Sequence, residues 1–275
     1  GEGEGEGEGE GEGEGEGKGE GEGEEPLPGQ TRVFANMAFV WIPPGEFMMG
    51  SAMSPEDVYA TYGGDSPLIF ENEHPRHRVV ITRGFWLGRY EVTQAEWTRH
   101  MPDNPSTHRG DDLPVESISW DDCQSFIAAL NALGEGAFRL PTEAEWEYAC
   151  RAGAETEFFF GDDAALLDDY GWHVFSSGMP FPPTTQPVGR KLPSPWNLYD
   201  IHGNVWEFCQ DRYGADYYAA SPEIDPQGPE AGSLRALRGG TMMRTAVRCR
   251  AAFRSRNAPS FVTADQGVRI CREAD

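Results

Sequence analysis

The chain has 275 residues, 38% of them apolar, which is enough for a buried core in one large domain or two small ones, and one domain is the simpler expectation. Its formal net charge of −24 argues against a phosphate-binding surface and so against nucleic acid as a partner, and no run of about twenty apolar residues is available to span a membrane. Five irregularly spaced cysteines without a CxxC pair describe neither a disulfide framework nor a structural zinc site.

Residues 1–25 repeat Gly and Glu, with twelve glutamates against Lys18, and carry −11 of the charge; the rest of the chain carries −13. Alternate glycines raise chain entropy, the glutamates repel one another, and nothing apolar is present to bury. Residues 1–30 are therefore expected to be a disordered acidic spacer. The chain begins without an initiator methionine or a signal peptide, as a mature or trimmed product would. Such a spacer suits tethering at the N-terminus, for example by a lipid, on the cell surface or outside the cell. A solubilising low-complexity extension is the plainer alternative.

The folded part is expected over 31–275. Phe39–Ile42 and Phe47–Met49 read as short strands around the Pro43-Pro44-Gly45 turn, and His77–Thr82 with Phe85–Tyr90 as a second pair. Three helices have marked starts. Thr93 with Glu96 and Thr142 with Glu145 form capping-box patterns, and Ser119 with Asp122 is similar. The second helix places Phe126, Ile127, Leu130 and Leu133 on one face before Gly134, and the third ends near Gly153. Beyond Gly153 the sequence is rich in Gly, Pro and aromatics, with no long amphipathic helix. A few helices, small antiparallel sheets and much ordered loop make an α+β fold.

Nine arginines fall between Arg235 and Arg272, set among glycines: Arg238-Gly239-Gly240, Cys249-Arg250, Arg254, Gly267-Val268-Arg269. They are expected to be held by buried carboxylates, with Glu143, Glu145 and Glu147 as candidates for Arg238 or Arg250. Cys123 and Cys150 sit beside apolar neighbours, as small buried hydrophobes do. His74 and His77 are the closest histidine pair, without a third ligand nearby. No nucleophile can be assigned to a histidine base, and no P-loop or dinucleotide fingerprint is present.

Six ordered segments carry a resemblance: Ile42–Gly50, Tyr90–Trp97, Leu140–Ala149, Asn197–Phe208, Leu237–Gly240 and Gly267–Arg269. Over about 38–269 the chain resembles the formylglycine-generating enzyme, or sulfatase-modifying factor, domain, a variant of the C-type lectin fold. The resemblance implies a calcium site from the side chains of Asp200 and Glu207 and the carbonyls of Gly203 and Val205. Asp200 stands where the enzyme has asparagine. A loop with carboxylates at both ends of a glycine turn is chemically suited to calcium, and a tight turn with Trp206 in the core is the alternative. The enzyme's copper site implies two cysteines shortly after Arg-Gly-Gly; between Gly240 and Arg254 this chain has Cys249 alone, so no copper is expected.

The sequence is most similar to the variable proteins of diversity-generating retroelements, whose C-terminal segment alternates fixed residues with positions randomised at adenines. That resemblance places a variable region at about 235–271 and a ligand site at Arg244, Thr245, Val247, Arg248, Phe253, Ser255, Arg256, Phe261, Thr263, Ala264 and Asp265. Each of these residue types is reachable from an Asn codon by adenine changes alone; Met243 is not. Loops held by a rigid frame can carry such a site, and its aromatic and arginine content suits a protein surface as ligand. The expected function is non-enzymatic ligand binding. The alternative is an oxidoreductase of the sulfatase-modifying-factor type acting on protein cysteine.

Overall fold

The computed structural model describes residues 25–176 and 183–274, so most of the Gly/Glu stretch lies outside the described residues. The domain begins earlier than Thr31. Gly29 donates its N–H to the Trp41 carbonyl and Trp41 donates to the Gln30 carbonyl, each at 2.9 Å. Residues 29 and 30 thus belong to the domain and not to the spacer.

Strands β1 (Thr31–Phe34) and β2 (Met37–Ile42) form a hairpin across Ala35 and Asn36, at φ 49° and 60°. Two consecutive left-handed residues match the twist of the flanking strands, which is why this turn is tight. The hairpin edges a five-stranded antiparallel sheet ordered β1-β2-β5-β11-β6, with β5 at Phe85–Gly88, β6 at Phe138–Arg139 and β11 at Cys271–Glu273. Strand β11, late in the chain, therefore lies inside the sheet that begins the domain, between β5 and β6.

The local strand pairs expected from sequence do not form. Strand β3 (Gly45–Met49) leaves β2 behind and pairs with β4 (His77–Ile81), while β5 pairs with β2 and β11. A third sheet is ordered β10-β7-β8-β9: β7 is Trp206–Arg212, β8 Arg235–Arg238, β9 Ser255–Asn257 and β10 Gln266–Gly267. Its β10–β7 pair is parallel, so the sheets are not wholly antiparallel.

Helices α2 (Gln94–Thr98), α3 (Trp120–Asn131) and α4 (Glu143–Arg151) start at the expected capping boxes, each reciprocally bonded. Helix α3 ends before Gly134 and leaves Leu133 46% exposed, off the predicted apolar face. Helix α1 (Pro55–Tyr62) and a 3-10 turn at Pro67–Glu73 were not expected from the sequence. After α4 the only α-helix among the described residues is the short α5 (Leu167–Tyr170). The main core packs Phe39, Trp86, Trp97, Phe126, Phe138, Trp206 and Phe253 together, joining the five-stranded sheet to α3 and the third sheet.

Candidate functional site

Between β8 and β11 the chain separates into residues that are fully enclosed and residues that face outward. Arg238, Arg250, Arg254 and Arg269 are each buried to within 1% of complete enclosure. A guanidinium survives there only with anionic partners and filled donor positions. Arg254 grips Glu143 with two bonds of 2.8 Å, and Arg238 bonds Glu147 while reaching the Ala251 and Phe253 carbonyls at 2.8 Å. Arg269 grips Glu207 from Nε and Nη2, the shortest bond being 2.6 Å. Arg250 bridges Glu73 and Glu157, each at 2.6 Å, and donates Nε–H to the Val247 carbonyl at 2.9 Å.

Every residue of α4 is buried, so Glu143 and Glu147 have no solvent to turn to. Burial alone would raise their pKa values, but Arg254 and Arg238 beside Glu143, and Arg151 and Arg238 beside Glu147, outweigh it and hold both below the usual range. For Glu73 burial wins over Arg250, and its carboxyl is raised. The expected pairing of arginines with the α4 carboxylates is thus met by Arg238 with Glu143 and Glu147. Glu145 instead binds Arg139, and Arg250 uses Glu73 and Glu157. The second glycine after Arg238 is required sterically. A Cβ on Gly240, at φ 78°, would stand 2.5 Å from the Cys249 sulfur.

The residues between the frame arginines divide into two groups. Arg244, Thr245, Arg256 and Phe261 are exposed, and Arg248, Ser255, Thr263 and Ala264 are half-buried. Val247, Phe253 and Asp265 are buried and cannot meet a ligand at the surface, contrary to the sequence reading. Val247 and Phe253 belong to the main core, where Phe253 lies 5.9 Å from the Trp206 ring and 6.3 Å from Phe70. Asp265 accepts from Thr263 Oγ1 at 2.6 Å and shapes the loop from within. Arg248 lies over the Phe253 ring and pairs with Asp65, while Arg256 lies over Tyr213.

Three outward apolar side chains adjoin this set without having been predicted: Met243 at 40% exposure, Val262 at 45% and Phe175 at 74%. Phe175 is brought in by its neighbour Val174, which donates to the Arg244 carbonyl at 2.9 Å. A codon rule excludes Met243 and is silent on Phe175, which lies far away in sequence. Only exposure identifies them.

The two carboxylates of the expected calcium set, Asp200 and Glu207, are both buried and differ in how their oxygens are engaged. Glu207 has both oxygens committed, to Arg269 and to Trp146 Nε1 at 2.6 Å. Asp200 accepts from the Gly189 N–H at 2.7 Å through Oδ2, while its buried Oδ1 has no partner; burial, above all, lifts its pKa to about 6. Glu91, missed by sequence reasoning, adjoins them and accepts from Val205 N–H at 3.0 Å and Asn204 Nδ2 at 2.7 Å. Burial, then the charges of Asp200 and Glu207, push Glu91 well above the usual carboxylate range. Asp200 keeps one oxygen without a partner and Glu207 keeps none, and no group of three or more His, Cys, Asp or Glu among the described residues is placed to hold a metal.

All five cysteines are buried and free. Burial pushes the Cys249 thiol up to about 12, and its sulfur faces the Thr245 carbonyl at 3.9 Å. A protonated, enclosed thiol is a weak nucleophile and a weak metal ligand.

A family model for the sulfatase-modifying factor enzyme 1-like domain matches residues 24–274. The formylglycine-generating enzyme of Streptomyces coelicolor is 34% identical over 202 residues, 70% of this chain and 62% of that protein. The chain therefore spans less than two thirds of that relative's length. Among solved structures, variable protein 1 of Treponema denticola superposes with a TM-score of 0.75 at 25% identity, covering 89% of this chain and 99% of its own. PvdO from Pseudomonas aeruginosa gives a TM-score of 0.78 at 24% identity, over 91% and 100% of the two chains. The α+β, C-type lectin-like fold expected from sequence is the fold of these neighbours.

Proposed function

The chain belongs to the sulfatase-modifying factor enzyme 1-like family, and from that premise we propose that it is a non-enzymatic ligand-binding protein with a diversified C-terminal site. The diversification is that of a diversity-generating retroelement. The observation that carries the reading is the division of one stretch into a buried arginine frame and outward contents. Residues that hold the fold and residues free to vary are different residues. Arg244, Thr245, Arg248, Ser255, Arg256, Phe261, Thr263 and Ala264 form the site, and all eight residues are of types within the adenine-restricted set. Exposed Arg and Phe beside Met243 and Phe175 suit a protein surface, since such side chains dominate binding hot spots. The likeness to Treponema denticola variable protein 1 supports the same reading.

A second reading, an oxidoreductase acting on protein cysteine, is favoured by the 34% identity to a formylglycine-generating enzyme. The lone, protonated Cys249 weighs against it. Competition for copper(I) against a chelator separates the two. Stoichiometric copper binding that disappears in Cys249→Ser would establish the enzyme reading; no binding, with native thiols unreactive until unfolding, supports the ligand-binding one. The diversification is tested in the genome: a near-identical repeat of the 235–271 coding sequence, differing at adenines and next to a reverse transcriptase, is the expected finding.

A further inference from the structure

Outside the variable region, one exposed loop is held more firmly than its place on the surface requires. Gln94, the first residue of α2, is only 2% exposed and spends its whole side chain on that loop. Its Nε2 donates to the His108 carbonyl at 2.7 Å and the Pro114 carbonyl at 3.2 Å, while its Oε1 accepts from Asn104 Nδ2 at 2.8 Å and the Gly110 N–H at 3.2 Å. Four bonds are all that an amide side chain can make. Backbone bonds pin what remains. Gln94 N–H donates to the Leu113 carbonyl at 2.9 Å, Ala95 N–H to that of Asp111 at 3.1 Å and Val188 N–H to that of Asp112 at 3.0 Å, and Leu113 N–H closes a turn on the Gly110 carbonyl at 3.1 Å.

The side chains that this loop carries outward do nothing for the fold. Arg109, Gly110, Asp111 and Asp112 are all exposed. Among the described residues the Asp111 carboxylate has no hydrogen bond or ion pair, and the Arg109 guanidinium makes one bond, from Nη1 to the Asn104 carbonyl at 2.5 Å, and meets no carboxylate. The backbone is fixed and both charges are left unspent.

We propose that this Arg-Gly-Asp turn is a binding site for a cell-adhesion receptor of the kind that holds a divalent cation beside an acidic pocket. A hard divalent cation with an open position takes a carboxylate oxygen from outside, which Asp111 supplies. A guanidinium forks onto carboxylates, which the pocket supplies to Arg109. The α-carbons of these two residues are at most about 7 Å apart, so one compact site can engage both. Gly110 between them has no side chain to hold the receptor off. Because the backbone from Gly110 to Leu113 is already pinned, little ordering entropy is left to lose on binding. None of these residues lies in the variable region, so this contact stays constant while the C-terminal site changes, and it stands or falls independently of the diversified site.

The test passes the full chain over an immobilised integrin ectodomain that binds Arg-Gly-Asp peptides, in manganese and in a chelator. Saturable binding in manganese, lost in the chelator, is the expected result. Asp111→Glu moves the carboxylate by one methylene and should weaken binding at least about tenfold, and Arg109→Gln should do the same. Asp112→Glu, the same change one residue further on, should stay within about twofold of the wild type. The peptide Gly-Arg-Gly-Asp-Ser should compete and Gly-Arg-Gly-Glu-Ser should not. All three positions are exposed, so unchanged melting temperatures will show that the variants are folded. No binding at about 100 μM, binding that survives the chelator, or an Asp111→Glu variant that binds like the wild type would overturn the proposal.

Discussion

Arg250→Met tests whether the buried arginines are the frame. Arg250 has no exposed surface and makes two bonds to Glu73, one to Glu157 and one to the Val247 carbonyl. Hydrogen bonds to charged groups are worth about 1.5–3 kcal/mol each, so four would sum to well over about 5 kcal/mol. The cost of stripping water from the guanidinium offsets much of that sum, but removal of Arg250 strands two carboxylates in the interior. The expected loss is about 3–5 kcal/mol. In urea unfolding followed by tryptophan fluorescence and far-ultraviolet circular dichroism, the midpoint should fall by roughly 1–2 M. Adding Glu73→Gln removes one stranded charge, so the double variant should be less damaged than the sum of the singles by about 1–3 kcal/mol. The pH dependence has a definite sign. Glu73 already has a raised carboxyl pKa, and loss of Arg250 raises it further, so the folded state binds more protons than the unfolded one. The damage should ease as pH falls and deepen as pH rises. A loss below about 1 kcal/mol at neutral pH, or strictly additive variants, would refute the frame argument.

The contents should behave differently. Arg244→Ala and Phe261→Ala should change stability by less than about 0.5 kcal/mol, whereas Phe253→Ala should cost about 3–5 kcal/mol, as measured by the same unfolding curves. His202 ties the Cys249 segment to Phe159: its Nδ1–H donates to the Cys249 carbonyl at 2.7 Å and its Nε2 accepts from Phe159 N–H at 3.3 Å, which requires a neutral ring. Burial lowers its pKa from 6.5 to about 4. The unfolded chain takes up this proton first, so about 3 kcal/mol of stability present above pH 6.5 should be lost as pH falls toward 4, and His202→Gln should flatten that slope. Glu207→Gln should lower the melting temperature equally in calcium and in a chelator, through the loss of the Arg269 pair. A loss seen only in calcium would restore Glu207 as a metal ligand.

Sequence signals located what is set locally. Thr93, Ser119 and Thr142 cap their helices because a hydroxyl and a carboxylate three residues apart satisfy orphan amides whatever the rest of the chain does. Strand partners are a non-local choice. Nothing near Phe85–Gly88 announces that Cys271–Glu273 will lie beside it, and strands of two to four residues carry too little alternation to be read. The arginine frame was legible as a spacing, but its partners were only half legible. Glu143 and Glu147 stand out on a helix start, whereas Glu73 ends a short 3-10 turn and Glu157 lies in an irregular segment, and both meet Arg250 only in three dimensions. Val247 and Phe253 were misplaced for a related reason. Composition can say which residue types are reachable at a position, and only packing says which way the side chain faces.

That misplacement bears on how a diversified surface coexists with one stable fold. The frame contacts are internal, so substitutions at Arg244, Thr245, Arg256 or Phe261 change what the surface meets and little of what holds it. Val247, Phe253 and Asp265 are under opposite demands: a charged or polar residue at 247 or 253 lacks partners in the core and costs several kcal/mol, a large share of the roughly 5–15 kcal/mol available to a domain, and a residue without an acceptor at 265 loses the bond from Thr263 Oγ1. If the coding sequence at these three positions is also open to mutation, most products should be lost to unfolding. Surviving copies of the gene should then vary freely at the four exposed positions, keep apolar residues at 247 and 253, and keep a small acceptor at 265. Equal variation at all of them would mean that the core tolerates what the packing of Phe253 between Phe70 and Trp206 forbids, and the separation of frame from contents would fail.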